Sequence, residues 1–243
     1  MKGIGDRFQR ETKYTPETIG GHGLDWARKP PPFKSHESAI GIVPLPRPDL
    51  SRRSDLWEAL RRRRSRRRYN ESVRLSIQDL ALLCWATQGI TAEHGDTLLR
   101  TAPSAGALYP VETYLLINGV ESLEQGVYHF RPDQFDLEFL RQGDLAADFT
   151  RAALNQQMVH HSQVTFLWSA MIKRSKWKYR QRAYRYIYLD AGHIAQNLYL
   201  TGEAMGLGVC AIAAFFDDEV NGLMGLDGES ETIIYMATVG QSQ

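Results

Sequence analysis

Residues 61 to 68 read Arg-Arg-Arg-Arg-Ser-Arg-Arg-Arg, seven arginines in eight positions. A free helix resists such a run because like charges three and four residues apart repel, so the fold must supply an anionic counterpart or open water. Three readings stay open from this stretch alone: a solvated basic face paired with scattered carboxylates, an arginine-rich nucleic-acid surface, or a small phosphate site. The last draws on Ser65, a hydroxyl flanked by the guanidinium forks of Arg63, Arg64, Arg66 and Arg67, a donor set suited to a terminal phosphate monoester. The chain as a whole carries 29 Lys and Arg against 28 Asp and Glu, a formal net charge of +1. It therefore lacks the global field that draws a protein onto nucleic acid or an acidic membrane, and neither is expected as a partner.

The rest of the chain can build a core, since 43% of its 243 residues are hydrophobic and 10% aromatic. Residues 1–50 differ. They mix charge, Gly20-Gly21 and Pro30-Pro31-Pro32 without sustained periodicity, and read as an extended N-terminal arm. Trp26, Phe33, Ile40, Ile42, Val43 and Leu45 are apolar enough to lay that arm against a surface, its own or a partner's. Residues 51–243 read as one domain. Helices are expected from Ser54 into the arginine run, from a Ser76 cap to Gly89, from Asp144 to about Met158, and from Asp190 to about Met205. Strands are expected at 111–117, 126–130, 136–140, 163–170, 209–215 and 232–239. Interspersed helices and early hairpin-like strands predict an α+β fold rather than a doubly wound parallel sheet.

Cys84 and Cys210 lie far apart in apolar surroundings, and the opening residues run straight into charge, so a reduced cytoplasmic setting is expected. The longest apolar run, Met205 to Phe216, is too short to span a bilayer. Adjacent His160 and His161 have poor ligand spacing and no cysteine cluster beside them, so no metal is expected.

The arginine segment, followed by Thr101-Ala102-Pro103-Ser104-Ala105-Gly106-Ala107-Leu108-Tyr109-Pro110-Val111-Glu112, resembles the paired FMN-binding motifs of the nitroreductase superfamily. The Tyr-Pro-Val-Glu ending, with Thr12-Lys13-Tyr14, Trp177-Lys178-Tyr179-Arg180, Asp190-Ala191-Gly192-His193 and Gly206-Leu207-Gly208, is similar to the SagB-type dehydrogenases. The resemblance implies a central, mostly antiparallel sheet flanked by helices, in an intertwined homodimer with FMN at the subunit interface. It implies that Arg63, Arg64, Ser65 and Arg67 hold the FMN phosphate and ribityl chain, and that Pro103, Ser104, Ala105 and Gly106 lie along the isoalloxazine. It gives Ala213 or Ala214 as the backbone N–H donor to flavin N5, and Lys178 with Tyr179 as the proton-handling pair. Relatives carry a basic residue just after the last Val-Gly; here Gln241-Ser242-Gln243 stand there, and the dense arginine cluster is expected to substitute.

The implied activity is oxidation of azoline-like rings in a modified peptide. An NAD(P)H-dependent nitroreductase or enone reductase is the alternative within the fold, with NAD(P)H as electron donor, and a non-catalytic flavin-binding or basic interaction module is the alternative outside it. A separate peptide-binding partner protein or a small-molecule substrate fits the same resemblance. From the residues alone, Lys178 and Tyr179 sit in a charged stretch, and neighbours on a helix point about 100° apart, so their side chains need not meet. Asp190 reads as a helix cap and His193 as a core histidine.

Overall fold

The computed structural model describes residues 3–16, 23–51, 54–95 and 97–243; the Gly20-Gly21 pair lies outside them. The strands are β1 (Gly41–Pro44), β2 (Ile90–His94), β3 (Thr97–Arg100), β4 (Val111–Ile117), β5 (Gly126–Arg131), β6 (Asp136–Gln142), β7 (Val164–Met171), β8 (Leu207–Ile212) and β9 (Glu231–Gln241). Seven of them form one antiparallel sheet in the order β1-β6-β5-β4-β7-β9-β8, and β2 with β3 makes a separate hairpin. The α+β architecture expected from the sequence is the one observed.

The central strand explains the layering. Every residue of β4 is buried, and strand alternation sends its side chains to two faces. Val111, Leu115 and Ile117 join a core with Phe166, Trp168 and Val239, whereas Tyr114 and Leu116 join a second core with Leu167 and Met236. Helices α3 (Ile77–Gln88) and α7 (Ala183–Ala204) cover the first core through Leu80, Leu83, Cys84, Ile194 and Leu198. Helices α4 (Ala146–Ala152), α5 (Met158–His161) and α8 (Asp217–Met224) cover the second through Phe149, Met158 and Val220. Cys84 and Cys210 are both buried and free.

The remaining helices are α1 (Ile4–Glu11), α2 (Leu56–Arg62) and α6 (Ile172–Tyr179). Several boundaries depart from the sequence reading. Ser76 caps α3 as expected, its hydroxyl accepting from the Asp79 N–H at 3.1 Å. Asp55, not Ser54, caps α2, accepting from the N–H groups of Trp57 and Glu58. The helix expected over 144–158 is two, because Leu154 and Asn155 take positive φ values of 56° and 58°, a conformation that ends a right-handed helix. α7 starts at Ala183, not Asp190, since Ala183 and Ile187 already supply a buried stripe at i, i+4. β8 stops at Ile212 rather than at Phe215, leaving Ala213 and Ala214 outside the sheet and exposed.

Residues 41–44 of the arm pair with β6, and Leu45 enters the first core. Upstream, Lys34 reaches Glu231 at 2.5 Å and the Tyr114 hydroxyl at 2.6 Å, and the His36 N–H donates to Glu138 at 2.9 Å. This stretch of the arm therefore lies along the chain's own sheet. Among the described residues, no helix is long and apolar enough to cross a membrane.

Candidate functional site

The arginine run is not one helix. α2 ends at Arg62, so only Arg61 and Arg62 are helical, and the following segment extends beside the edge strand β8. Ser65 pairs with Val209, and the Arg66 N–H donates to the Val209 carbonyl at 2.9 Å. The buried Tyr69 side chain locks the far end, donating to the Arg66 carbonyl at 2.7 Å and pairing with the Thr238 hydroxyl at 2.7 Å. Arg61 pairs with Glu58, and Arg62 and Arg66 reach Glu203 at 3.4 and 3.6 Å. Arg63, Arg64, Arg67 and Arg68 have no carboxylate partner among the described residues. The Ser65 and Tyr199 hydroxyls lie 2.9 Å apart, the Arg63 guanidinium sits 5.1 Å from the Tyr199 ring centre, and the Ala211 N–H donates to the same Tyr199 hydroxyl at 2.8 Å. Tyr199, which the sequence reading missed, thus joins Arg63, Ser65 and β8. This is an open donor cluster of guanidiniums and a hydroxyl, able to take an anion.

The Pro103–Gly106 turn is held from below by α7. Asp190 accepts from the Ser104 hydroxyl at 2.6 Å and the Ala105 N–H at 3.2 Å, and the Ser104 oxygen accepts from the Tyr109 N–H at 2.9 Å. Asp190 is therefore no helix cap. It sits mid-helix and 5% exposed, and burial raises its pKa despite the two bonds that lower it. Besides standing in the Asp190-Ala191-Gly192-His193 block, it is an acid among apolar helical positions. His193 is exposed rather than in the core, and Asn197 ties α7 to α3 by donating to the Ala86 carbonyl at 3.0 Å.

Gly106 has φ +65°, and a Cβ there would lie 2.6 Å from the Tyr179 hydroxyl and 3.0 Å from Lys178 Nζ. Lys178 and Tyr179 thus converge on one backbone point, contrary to the divergence expected of helical neighbours. The cause is local: α6 ends at Tyr179, and Arg180 turns the chain with a positive φ of 50°. The stretch read as a charged loop is the junction of two helices, and burial, with Tyr186 and Asp190 nearby, raises the Tyr179 pKa. No described hydrogen bond, ion pair or ring contact joins this group to the arginine segment. Among the described residues, the Ala214 carbonyl accepts from Gln156 at 2.9 Å.

A cluster outside both groups has ligand-like composition. His36, His129 and Glu138 bring their ligand atoms within 4.8 Å of one another. His129, however, spends both ring nitrogens on carboxylates, Glu138 at 2.9 Å and Glu112 at 3.1 Å. Burial alone would lower its pKa, but the two carboxylates together raise it. An imidazolium so bound has no lone pair to give a metal. Arg131 at 3.6 Å from Glu138 and Arg174 at 2.5 Å from Glu112 complete an ionic network instead. His161 pairs with Glu71 at 2.9 Å.

Residues 60–241 match the nitroreductase family. The protein MJ1384 of Methanocaldococcus jannaschii, which bears a nitroreductase name, is 32% identical over 169 residues, 70% of this chain and 83% of its own. The microcin B17-processing protein McbC of Escherichia coli is 28% identical over 133 residues, 53% of this chain and 49% of McbC. A nitroreductase-named crystal structure from Anabaena variabilis superposes with a TM-score of 0.81 at 29% identity, covering 99% of this chain and 47% of that one. The chain thus spans about half the length of these last two relatives. The E. coli McbBCD microcin synthetase complex shares the fold at TM-score 0.64 and 20% identity, over 100% of this chain and 83% of that one. With a family match over well more than half its length, laid on a sheet and helices of the same architecture, this chain belongs to the nitroreductase family.

Proposed function

We propose that this chain is an FMN-dependent oxidoreductase of the SagB type, oxidising azoline-like rings in a modified peptide. The observation that carries the reading is the meeting of the Lys178 amine and the Tyr179 hydroxyl over Gly106, in a turn where no side chain fits. The family match supports the oxidoreductase class. A structural neighbour from Desulfovibrio desulfuricans was solved with FMN, and relatives are named for processing microcin B17 and trifolitoxin.

The residues present fit FMN. Arg63, Arg64, Ser65 and Arg67 offer donors without carboxylate partners to a phosphate and ribityl chain, and Pro103, Ser104, Ala105 and Gly106 offer a backbone cradle for the flat ring. Ala213 or Ala214, exposed just past β8, would supply a backbone N–H to the flavin. When bound, FMN supplies the hydride acceptor. Lys178, as the free amine, would take the proton that leaves the substrate carbon, while Tyr179, whose pKa is raised, keeps its own proton and serves as a hydrogen-bond donor beside it.

Tyr199 and Asp190 serve the two halves of this site from one helix. Nine residues at about 100° each leave them about half a turn apart on opposite faces. Leu56 and Trp57 on α2 are 54% and 77% exposed. Both features support a homodimer in which each flavin contacts two chains. The chain resembles McbC, and the McbBCD structure is a multiprotein complex holding a precursor peptide, which supports a separate peptide-binding partner here. Its two free thiols fit a reduced, cytoplasmic setting.

The test is a purified protein whose released chromophore is matched to FMN by chromatography, followed by turnover of a thiazoline-containing peptide. Lys178→Ala and Tyr179→Phe are expected to lose turnover while keeping flavin. Full peptide turnover in both removes the proton-handling assignment, whereas no peptide turnover together with flavin bleached by NAD(P)H and reoxidised by a nitroaromatic assigns the chain to the reductases instead.

A further inference from the structure

Helix α1 buries none of its residues, yet the chain fastens it with two arginines. Arg185 donates to the Thr12 hydroxyl and the Gln9 carbonyl, both at 2.7 Å. Arg182 donates to the Thr12 carbonyl at 2.6 Å and to the Tyr186 hydroxyl at 2.8 Å, and its guanidinium lies 4.3 Å from the Tyr14 ring centre. Apolar burial does not fix α1; these polar contacts do. They lead inward. Tyr186 packs its ring edge against Tyr179 with centres 4.7 Å apart and planes at 67°. The Tyr179 hydroxyl in turn lies over Gly106.

Tyr179 needs such a support. It is the last residue of α6, the following Arg180 has left-handed φ, and no hydrogen bond holds its hydroxyl among the described residues. On the other side of the same pair, Trp177 donates to the Asp25 carbonyl at 2.8 Å and meets Trp26 edge-on at 5.2 Å. Two stretches of the arm therefore grip the helix end that carries Lys178 and Tyr179, one at Trp177 and one at Arg182.

We infer that Arg182 is a positioning residue which, through Tyr186 and clamped by Thr12 and Tyr14, sets the Tyr179 hydroxyl over Gly106, so that the N-terminal arm completes the active site. This rests on the reading of Lys178 and Tyr179 as the proton-handling pair. Arg182 touches no substrate; it acts by removing the alternative rotamers of Tyr179, which lowers turnover when lost without changing how substrate is held.

The experiment uses the full-length, flavin-loaded protein and a synthetic thiazoline peptide. Arg182→Leu and Tyr14→Ala are expected to lower kcat about tenfold with KM within about twofold and flavin content unchanged. Tyr14→Phe, which keeps the ring on the guanidinium, recovers most of the loss. In a Tyr179→Phe background, Arg182→Leu adds no further loss, because the two residues act as one unit. Independently of turnover, a fluorotyrosine at position 179 reports its surroundings by fluorine NMR, and its resonance shifts or broadens in both Arg182→Leu and Tyr14→Ala. An unmoved resonance, or turnover losses that multiply in the double variant, overturns the proposal. Wild-type turnover in Tyr179→Phe alone sinks the proton-handling assignment, and the fluorine resonance then still decides whether Arg182 and Tyr14 place Tyr179.

Discussion

The Asp190 carboxylate meets the Ser104 hydroxyl at 2.6 Å, tying the middle of α7 to the turn that carries Gly106. Asp190→Ala leaves that hydroxyl and the Ala105 N–H without their acceptor, at an expected cost of about 1–3 kcal/mol. Urea unfolding should show a lower midpoint at unchanged slope. Asp190→Asn keeps one acceptor oxygen and should lose less, and equal losses in the two variants would contradict the role assigned to the acceptor.

Two glycines separate backbone strain from steric exclusion. Gly106 and Gly225 have similar positive φ, 65° and 69°, but only Gly106 has side chains where a Cβ would go. Gly225→Ala is expected to cost about 1–2 kcal/mol of stability and leave turnover intact. Gly106→Ala carries the same penalty and also pushes the Tyr179 hydroxyl and Lys178 Nζ away, so turnover should fall to the level of Lys178→Ala. Thermal melts and peptide turnover on the same preparations give the comparison.

His36 should make the arm acid-sensitive. Burial first, then Lys34 and His129, lower its pKa from 6.5 to about 4. The unfolded chain thus takes up the proton first as pH falls. Stability from this group is full above about 6.5 and is lost between there and about 4. The protection of the His36 amide, bonded to Glu138, relative to its intrinsic exchange rate should fall over that window, and His36→Gln should flatten the dependence.

Arg174 and Glu112 form a buried ion pair at 2.5 Å, each side chain 3% exposed. Burial opposes the Glu112 charge, but the His129 hydrogen bond and Arg174 overcome it and hold its pKa at about 2. Arg174→Met removes one cationic partner of that buried charge, leaving His129 on it, and should cost up to about 3–5 kcal/mol. Adding Glu112→Gln should restore part of the loss, as read from denaturant midpoints.

The sheet was legible because its strands are apolar runs bounded by turn residues: β4 is found over the residues expected, and β5, β6, β7 and β9 differ at their ends by a few positions. β1 was not, since Gly41-Ile42-Val43-Pro44 is four residues long and is a strand only through β6. Nor was α1, whose place depends on Arg182 and Arg185, some 170 positions away. The same limit applies at the site. Motif residues such as Ser65 and Gly106 stand out in sequence, but Tyr199, Asp190 and Tyr186 act through tertiary contacts that no local spacing encodes. The meeting of Lys178 and Tyr179 was hidden because it depends on where α6 stops, and the stop is an arginine in a conformation that glycine ordinarily adopts.

The rim of β8 is already taken. Its Val209 carbonyl accepts from Arg66 and its Ala211 N–H donates to Tyr199, while the opposite edge of the sheet is only four residues long and ends in Pro44. An edge so occupied offers no ladder to a guest strand. The peptide substrate proposed above would therefore not be read at β8 by main-chain augmentation, the sequence-tolerant mode. On the proposed function, selectivity would fall instead to side chains around the modified ring and to the surface that delivers the peptide, so variants of this chain alone should retune which ring is accepted more readily than which peptide is bound.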